Sequence, residues 1–315
     1  MHPNCLAIDV QSLSYSYGNH KALDQLDLSV AAGRIFALLG PNGSGKSTLF
    51  KILSTLIAYR QGQVRVLGVD VNQHQSQVRH LLGVVFQSPS VDPKLTVREN
   101  LLCQATLYGL RGPQLRSRLD QVTQQMGLSE RLGDPVGKLS GGQQRRVELA
   151  KGILHRPGLL LMDEPSTGLD PAARLELWQI LRELQQNHSV TVVLTTHLLE
   201  EADKADQIAI LDHGKNVAQG SPTALRDELG DQVLSIQAQA PREILQWLLD
   251  RSITAQLYQQ TIRATGSGVA QLVSPLMETW GNQIQSVTVG RPSLEDVFMA
   301  RTGHYFAGSN TTTAT

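Results

Sequence analysis

The sequence predicts an α/β protein built on a mainly parallel sheet, followed by a smaller α+β unit. Three observations carry that expectation. From Ala7 to about Gly220, short apolar segments ("RIFALLG", "GLLLMDE", "VTVVLTTH", "QIAILDHG") alternate with amphipathic stretches, the pattern of a sheet whose connections are helices. "GSP" at 220–222 then punctuates the chain. After "TALRDELG" the rhythm changes to short alternating segments, "QVLSIQA", "ITAQLY" and "TIRAT".

The chain is long enough for both units, since 41% of its 315 residues are apolar. Its 28 basic residues balance its 28 acidic ones, so no net field holds a nucleic acid or an anionic membrane, and no nucleic-acid partner is expected. The opening "MHPNCLAIDVQ" lacks a basic leader with an apolar segment, and no run approaches the ~18 apolar residues of a spanning helix, so a soluble chain is expected. Cys5 and Cys103 are too few for a disulfide framework and are expected to be inert thiols in a reducing cytoplasm.

In chain order, the strand "RIFALL" runs into "GPNGSGKS" and then into the helix "STLFKIL". Gly40, Gly43 and Gly45 would be costly in either element, so something other than packing selects them. The octet matches G-x-x-x-x-G-K-[ST] in the strand–loop–helix context that gives the pattern meaning. Its backbone amides and the helix N-terminus would wrap a β-phosphate, Lys46 would reach β- and γ-oxygens, and Ser47 would hold Mg²⁺. "LSGGQQRR" (139–146) is a second loop of small residues opening a helix, with Ser140 at the cap and Gly141 and Gly142 allowing close backbone approach. One nucleotide needs one such loop, so either two nucleotides bind or the second loop serves another copy. "LLLMDEP" places a buried strand before two carboxylates: Asp163 to organise Mg²⁺, Glu164 as base or orienting group for water. The helix from Pro171 has Asp170 as N-cap and a stripe of Leu175, Trp178, Leu181 and Leu184.

The second unit reads as strand, helix ("PREILQWLLD"), strand, a two-residue turn at Gln259 and Gln260, strand, helix ("VAQLVSPLMETW", kinked at Pro275) and strand ("QIQSVTVG"). This βαββαβ order fits a ferredoxin-like sandwich. Ser293 and Asp296 fit a capping box, and Gly303 a C-terminal stop. The boundaries expected are 1–221 for the first domain, 222–231 for a linker, 232–305 for the second domain and 306–315 for a disordered tail.

"GPNGSGKST", "LSGGQ", "LLLMDEP", "STGLD" and "TTH", in this order, resemble the ATP-binding cassette (ABC) ATPases over residues 5 to 220 or so. The resemblance implies an antiparallel β subdomain, a helical signature subdomain around 95–155, ATP with Mg²⁺, and a head-to-tail dimer. Ser140, Gly141, Gly142 and Gln143 of one chain would then close on the γ-phosphate held by Gly40, Pro41, Asn42, Gly43, Ser44, Gly45, Lys46, Ser47 and Thr48 of the other. It further implies Tyr17 as the aromatic stacked on adenine, with Tyr15 as its core-packing competitor on the same strand face. Gln87 in "VVFQSP" would touch Mg²⁺ and the lytic water, while the loop after it meets a membrane subunit. His197 would contact the γ-phosphate, and Ser166 and Asp170 would lie in a loop crossing the dimer interface.

"LTVRENL", "HLLEEADK" and "RPSLEDVFMARTGH" narrow the resemblance to the daunorubicin-type exporter ATPases of the ABC-2 class. That branch implies a peripheral ATPase at the cytoplasmic face of the cell membrane, partnered by integral membrane permease subunits and a second ATPase subunit, a homodimer being expected. The cargo does not follow. An importer ATPase with a regulatory C-terminal domain is the alternative. A soluble ABC ATPase of ribosomes or DNA fits less well, because the chain has one cassette and no sustained heptads between Lys46 and Leu139.

Overall fold

The computed structural model describes residues 6–306 and divides into two compact units, 1–216 and 217–315. Cys5 and the expected disordered tail from residue 307 onward lie outside the described residues. Phe306, assigned to that tail, instead packs edge-on to Phe298 at 4.9 Å and is buried.

The first unit opens with β1 (Leu6–Tyr17), β2 (His20–Ala31), β3 (Ile35–Leu39), α1 (Lys46–Leu53), β4 (Gln61–Val66), β5 (Val69–Asp70), α2 (Gln75–Leu81) and β6 (Leu82–Val85). Three helices follow, α3 (Val97–Leu107), α4 (Gly112–Gln125) and α5 (Gly141–Ile153). The unit continues with β7 (Leu159–Asp163), α6 (Pro171–His188), β8 (Thr191–Thr196), α7 (Leu199–Ala202) and β9 (Gln207–Asp212). β10 (Lys215–Gly220) spans the division between units.

β9, β3, β8, β7 and β6 pair in that order, all parallel. Every residue of β3 and β8 is buried, as strands covered on both faces require, which is why β3 reads as a continuous apolar run and β8 as valine and leucine flanked by threonine. β1, β2, β4 and β5 form a separate antiparallel sheet in the order β2-β1-β4-β5. In the parallel sheet Leu39 is opposite Thr196, and Asp163 opposite Thr195. Gly40, Glu164 and His197 therefore leave neighbouring strands at one carboxyl edge, where open α/β sheets bind ligands.

The stripe expected on α6 is corrected. Leu177, Trp178, Leu181 and Leu184 are buried, while Leu175 is 57% exposed. Steps of three residues drift by about 60° each around a 3.6-residue helix, so Leu175 ends opposite Leu184.

In the second unit, α8 (Pro222–Asp227), capped by Ser221, occupies the segment expected as linker. The division between units falls at 216/217, ahead of the expected 221/222. β11 (Gln232–Ala238), α9 (Pro241–Leu249), β12 (Thr254–Tyr258), β13 (Thr261–Gly266), α10 (Val273–Trp280), β14 (Ile284–Gly290) and α11 (Leu294–Thr302) follow. The strands make one antiparallel sheet, β12-β13-β11-β14, with Leu234, Ile236, Ile262, Ile244, Leu248 and Leu276 in its core. The kink expected at Pro275 is absent: the segment splits into a 3₁₀ turn (Val269–Leu272) and α10, with Pro275 in the first turn of α10, where a missing N–H costs nothing. The capping box at Ser293 and Asp296 and the left-handed stop at Gly303 (φ 80°) are both present.

Candidate functional site

The glycines between β3 and α1 answer to geometry. Gly43 and Gly45 have φ of 83° and 103°, and a Cβ on Gly40 would lie 2.4 Å from the Leu211 carbonyl oxygen. Gly45 is the N-cap residue of α1, so no side chain caps that helix, and its first-turn amides carry no acidic neighbour. Open N–H groups at a helix start attract anions. Ser44 is buried with its hydroxyl unpartnered. Lys46 is buried and donates to the carbonyls of Gly40 (2.7 Å) and Pro41 (2.8 Å). Burial pulls its ammonium below the usual lysine range, opposed by the charges of Glu164 and Asp163.

A cleft of about 170 Å³ lies over this loop. Asn42, Gly43, Gly45, Lys46, Ser47 and Thr48 form its floor, Tyr17 and Glu164 line it, and His20 and Ala22 of β2 complete it. Tyr17 is 45% exposed, its ring 4.9 Å from Tyr15, which packs on the core.

At the carboxyl edge of β7 and β8, Thr195 joins the two acids. Its hydroxyl donates to Asp163 Oδ1 at 2.5 Å and accepts from the Glu164 amide at 2.9 Å. Burial pushes the Asp163 carboxyl up, against the Thr195 hydrogen bond, with the Glu164 charge adding to the rise and Lys46 opposing it. Glu164 is in the left-handed region (φ 42°), a strained backbone for a residue with a side chain. Gln87 Nε2 donates to Glu164 Oε2 at 3.4 Å, and Thr167 Oγ1 to the same oxygen at 3.2 Å. His197 Nδ1 is 3.1 Å from Glu164 Oε1 but lacks hydrogen-bond alignment. Glu164 is thus the hub of Gln87, Thr167 and His197.

Ser140, Gly141, Gly142, Gln143 and Asp170 do not line this cleft. Ser140 and Gln143 form a reciprocal capping box on α5, with Ser140 N donating to Gln143 Oε1 (3.1 Å) and Gln143 N to Ser140 Oγ (3.3 Å). A Cβ on Gly142 would come within 3.0 Å of the Ala173 side chain, so glycine also lets α5 approach α6. Asp170 Oδ1 accepts from Ala173 N at 2.9 Å and caps α6. Ser166 is buried and donates to Glu201, whose other oxygen accepts from Thr196 at 2.7 Å.

Sequence reasoning passed over Thr195, Glu201 and the buried Arg145–Glu148 pair. Only the pair left a signal, charges inside the apolar period of "RRVELAKGIL".

The ABC transporter family model matches residues 23–167. Daunorubicin resistance ATP-binding protein DrrA2 of Streptomyces coeruleorubidus is 36% identical over 308 residues, covering 95% of each chain. Nod factor export ATP-binding protein I of Mesorhizobium japonicum is 36% identical over 301 residues, covering 95% of this chain and 87% of that one. Among solved structures, the ATP binding subunit of an ABC transporter superposes with a TM-score of 0.63 at 29% identity, over 70% of this chain and 92% of that chain. A dimeric post-hydrolysis state of an ATP-binding cassette bound to ADP and Pi gives 0.60 at 27% identity, over 68% and 98%.

Proposed function

The chain belongs to the ABC transporter family of ATP-binding proteins, and from that membership and the site geometry we propose that it is the ATP-hydrolysing subunit that powers an ABC-2 type exporter. One observation carries the reading. The phosphate-seeking loop and Glu164 line a single cleft, and Gln87 and His197 converge on that carboxylate.

The residues fit Mg²⁺-ATP. The Tyr17 ring would receive adenine, and the Gly40–Thr48 amides would hold the phosphates, with Lys46 turning from the Gly40 and Pro41 carbonyls to β- and γ-oxygens. Ser47, Asp163 and Gln87 would hold Mg²⁺, whose charge offsets that of the phosphate oxygens. Desolvated Asp163 suits that task, because a cation relieves the penalty burial imposes on its carboxylate. Glu164 would orient and deprotonate the attacking water, and His197 would donate to the γ-phosphate.

Ser140, Gly141, Gly142, Gln143 and Asp170 stand apart from their own chain's cleft, which supports their action on a partner's nucleotide in a head-to-tail homodimer. The export assignment follows the relatives named for daunorubicin resistance and Nod factor export. Among the described residues no helix is long and apolar enough to cross a membrane, so separate permease subunits would carry the cargo, with this chain at their cytoplasmic face. The loop after Gln87 would meet them. ATP closes the dimer and hydrolysis reopens it. The second unit is read as a ferredoxin-like accessory domain at 232–305, supported by the β12-β13-β11-β14 order.

Glu164→Gln tests the reading. It keeps ATP binding, holds a closed dimer visible by size-exclusion chromatography, and lowers turnover by roughly two orders of magnitude or more. Turnover near wild type removes Glu164 from the reaction.

A further inference from the structure

Helix α5, which begins at the Ser140 cap, also carries a buried ion pair. Arg145 and Glu148 have side chains 9% and 4% exposed and meet at 2.7 Å. Each has further partners, all in the two segments that carry Gln87 and Glu164. Arg145 Nη1 donates to the Phe86 carbonyl at 2.8 Å, one residue before Gln87. Arg145 Nε donates to the Pro165 carbonyl at 2.7 Å, one residue after Glu164. Glu148 Oε1 accepts from the Ser90 amide at 2.7 Å, and Lys151, one turn further along α5, donates to the Ser90 carbonyl. One guanidinium thus spans the gap between the Gln87 loop and the end of β7, and its helix also holds the far end of that loop.

Stability alone does not explain this arrangement. Burying two charges costs more than their attraction reliably returns, and an apolar pair of similar volume is often neutral or better. What an apolar pair cannot do is fix two carbonyls and a carboxylate at set directions, for which the planar fork of arginine is suited. We propose that Arg145, held in place by Glu148, is a positioning residue of the hydrolysis site, setting Gln87 and Glu164 in register with each other and with the helix that begins at Ser140. The proposal rests on the reading that Glu164 and Gln87 act on the attacking water. Through this brace, movement of α5 as its Ser140 end engages a partner's nucleotide displaces the two groups that act on the water. Neither Arg145 nor Glu148 lines the nucleotide cleft, and the groups they brace act on the water, so the effect falls mainly on the rate.

The test uses the full chain and measures ATPase turnover beside equilibrium binding of Mg²⁺-ATP for Arg145→Lys, Glu148→Gln and Glu164→Gln. Lysine keeps the charge but gathers its donors on one compact ammonium in place of the fork, so Arg145→Lys lowers kcat roughly 10- to 100-fold while KM and ATP affinity stay within about twofold, the cost of a small misplacement at a reacting centre. Glu148→Gln removes the charge and keeps only one acceptor oxygen, so an NH2 donor faces either the Ser90 amide or the guanidinium, and it gives a loss of kcat of the same kind. Wild-type kcat in Arg145→Lys overturns the proposal, as does a parallel fall in kcat and ATP affinity, the mark of a structural role. Glu164→Gln separates the two layers. If it keeps turnover, the reading beneath fails; if it loses turnover while Arg145→Lys does not, only the positioning role fails.

Discussion

At the residue scale, loop and strand-end motifs tie side-chain identity to backbone geometry. Gly43 and Gly45 proved to need positive φ, and Lys46, Asp163 and Glu164 met at one edge. Thr195 and Glu201 were not legible, because their roles arise from strand register and from a loop folding back, neither of which has a local pattern. His155 belongs to the same class. Its ring stacks on Tyr108 at 3.7 Å, and its Nε2 must carry the hydrogen toward the Leu82 carbonyl, leaving Nδ1 buried without a partner. Burial, with smaller contributions from His80 and Arg118 against that hydrogen bond, pushes the imidazole down to about 4. Above the unfolded value of about 6.5 the ring is neutral in both states and gives no pH dependence. Between there and about 4 only the unfolded chain takes up the proton, so stability falls as pH drops through that window. Thermal melts from pH 7.5 to 5 therefore show a steeper loss for wild type than for His155→Gln; equal slopes contradict the burial argument.

At the scale of elements, helix ends were read more reliably than helix faces. Ser140, Asp170 and Ser293 all cap as their spacing implied, since a cap is a contact within one turn. The face of α6 was misassigned at Leu175, where a step of three residues was mistaken for the helical period. Helix α10 begins where Pro275 can enter a first turn, not where the apolar pattern begins. The capping box of α11 is doubly engaged: Asp296 receives the Ser293 hydroxyl at 2.6 Å and also pairs with Arg263 at 3.0 Å. Ser293→Ala should destabilise the C-terminal unit by about 1 kcal/mol in urea titrations and leave ATP turnover unchanged. An unchanged midpoint would mean the cap contributes nothing there.

At the scale of the whole molecule, the antiparallel sheet and the helical stretch from α3 to α5 match what the family resemblance implied, and the parallel core matches what the alternating apolar runs implied. The division between the units was less legible: α8 forms where a linker was expected, Ser221 supplying a cap that an isolated "GSP" does not advertise. The central claim is that two chains together build each hydrolysis site, Lys46 from one and Ser140 from the other. The most direct measurement is the ATPase rate of a co-expressed pair in which one chain carries Lys46→Ala and the other Ser140→Arg, each inactive as its own homodimer. The mixed dimer contains one intact site, formed by the first chain's Ser140 and the second chain's Lys46, and should recover up to about half the wild-type rate. A mixed dimer that forms but hydrolyses no faster than either parent, beside an active wild-type dimer, would contradict the account.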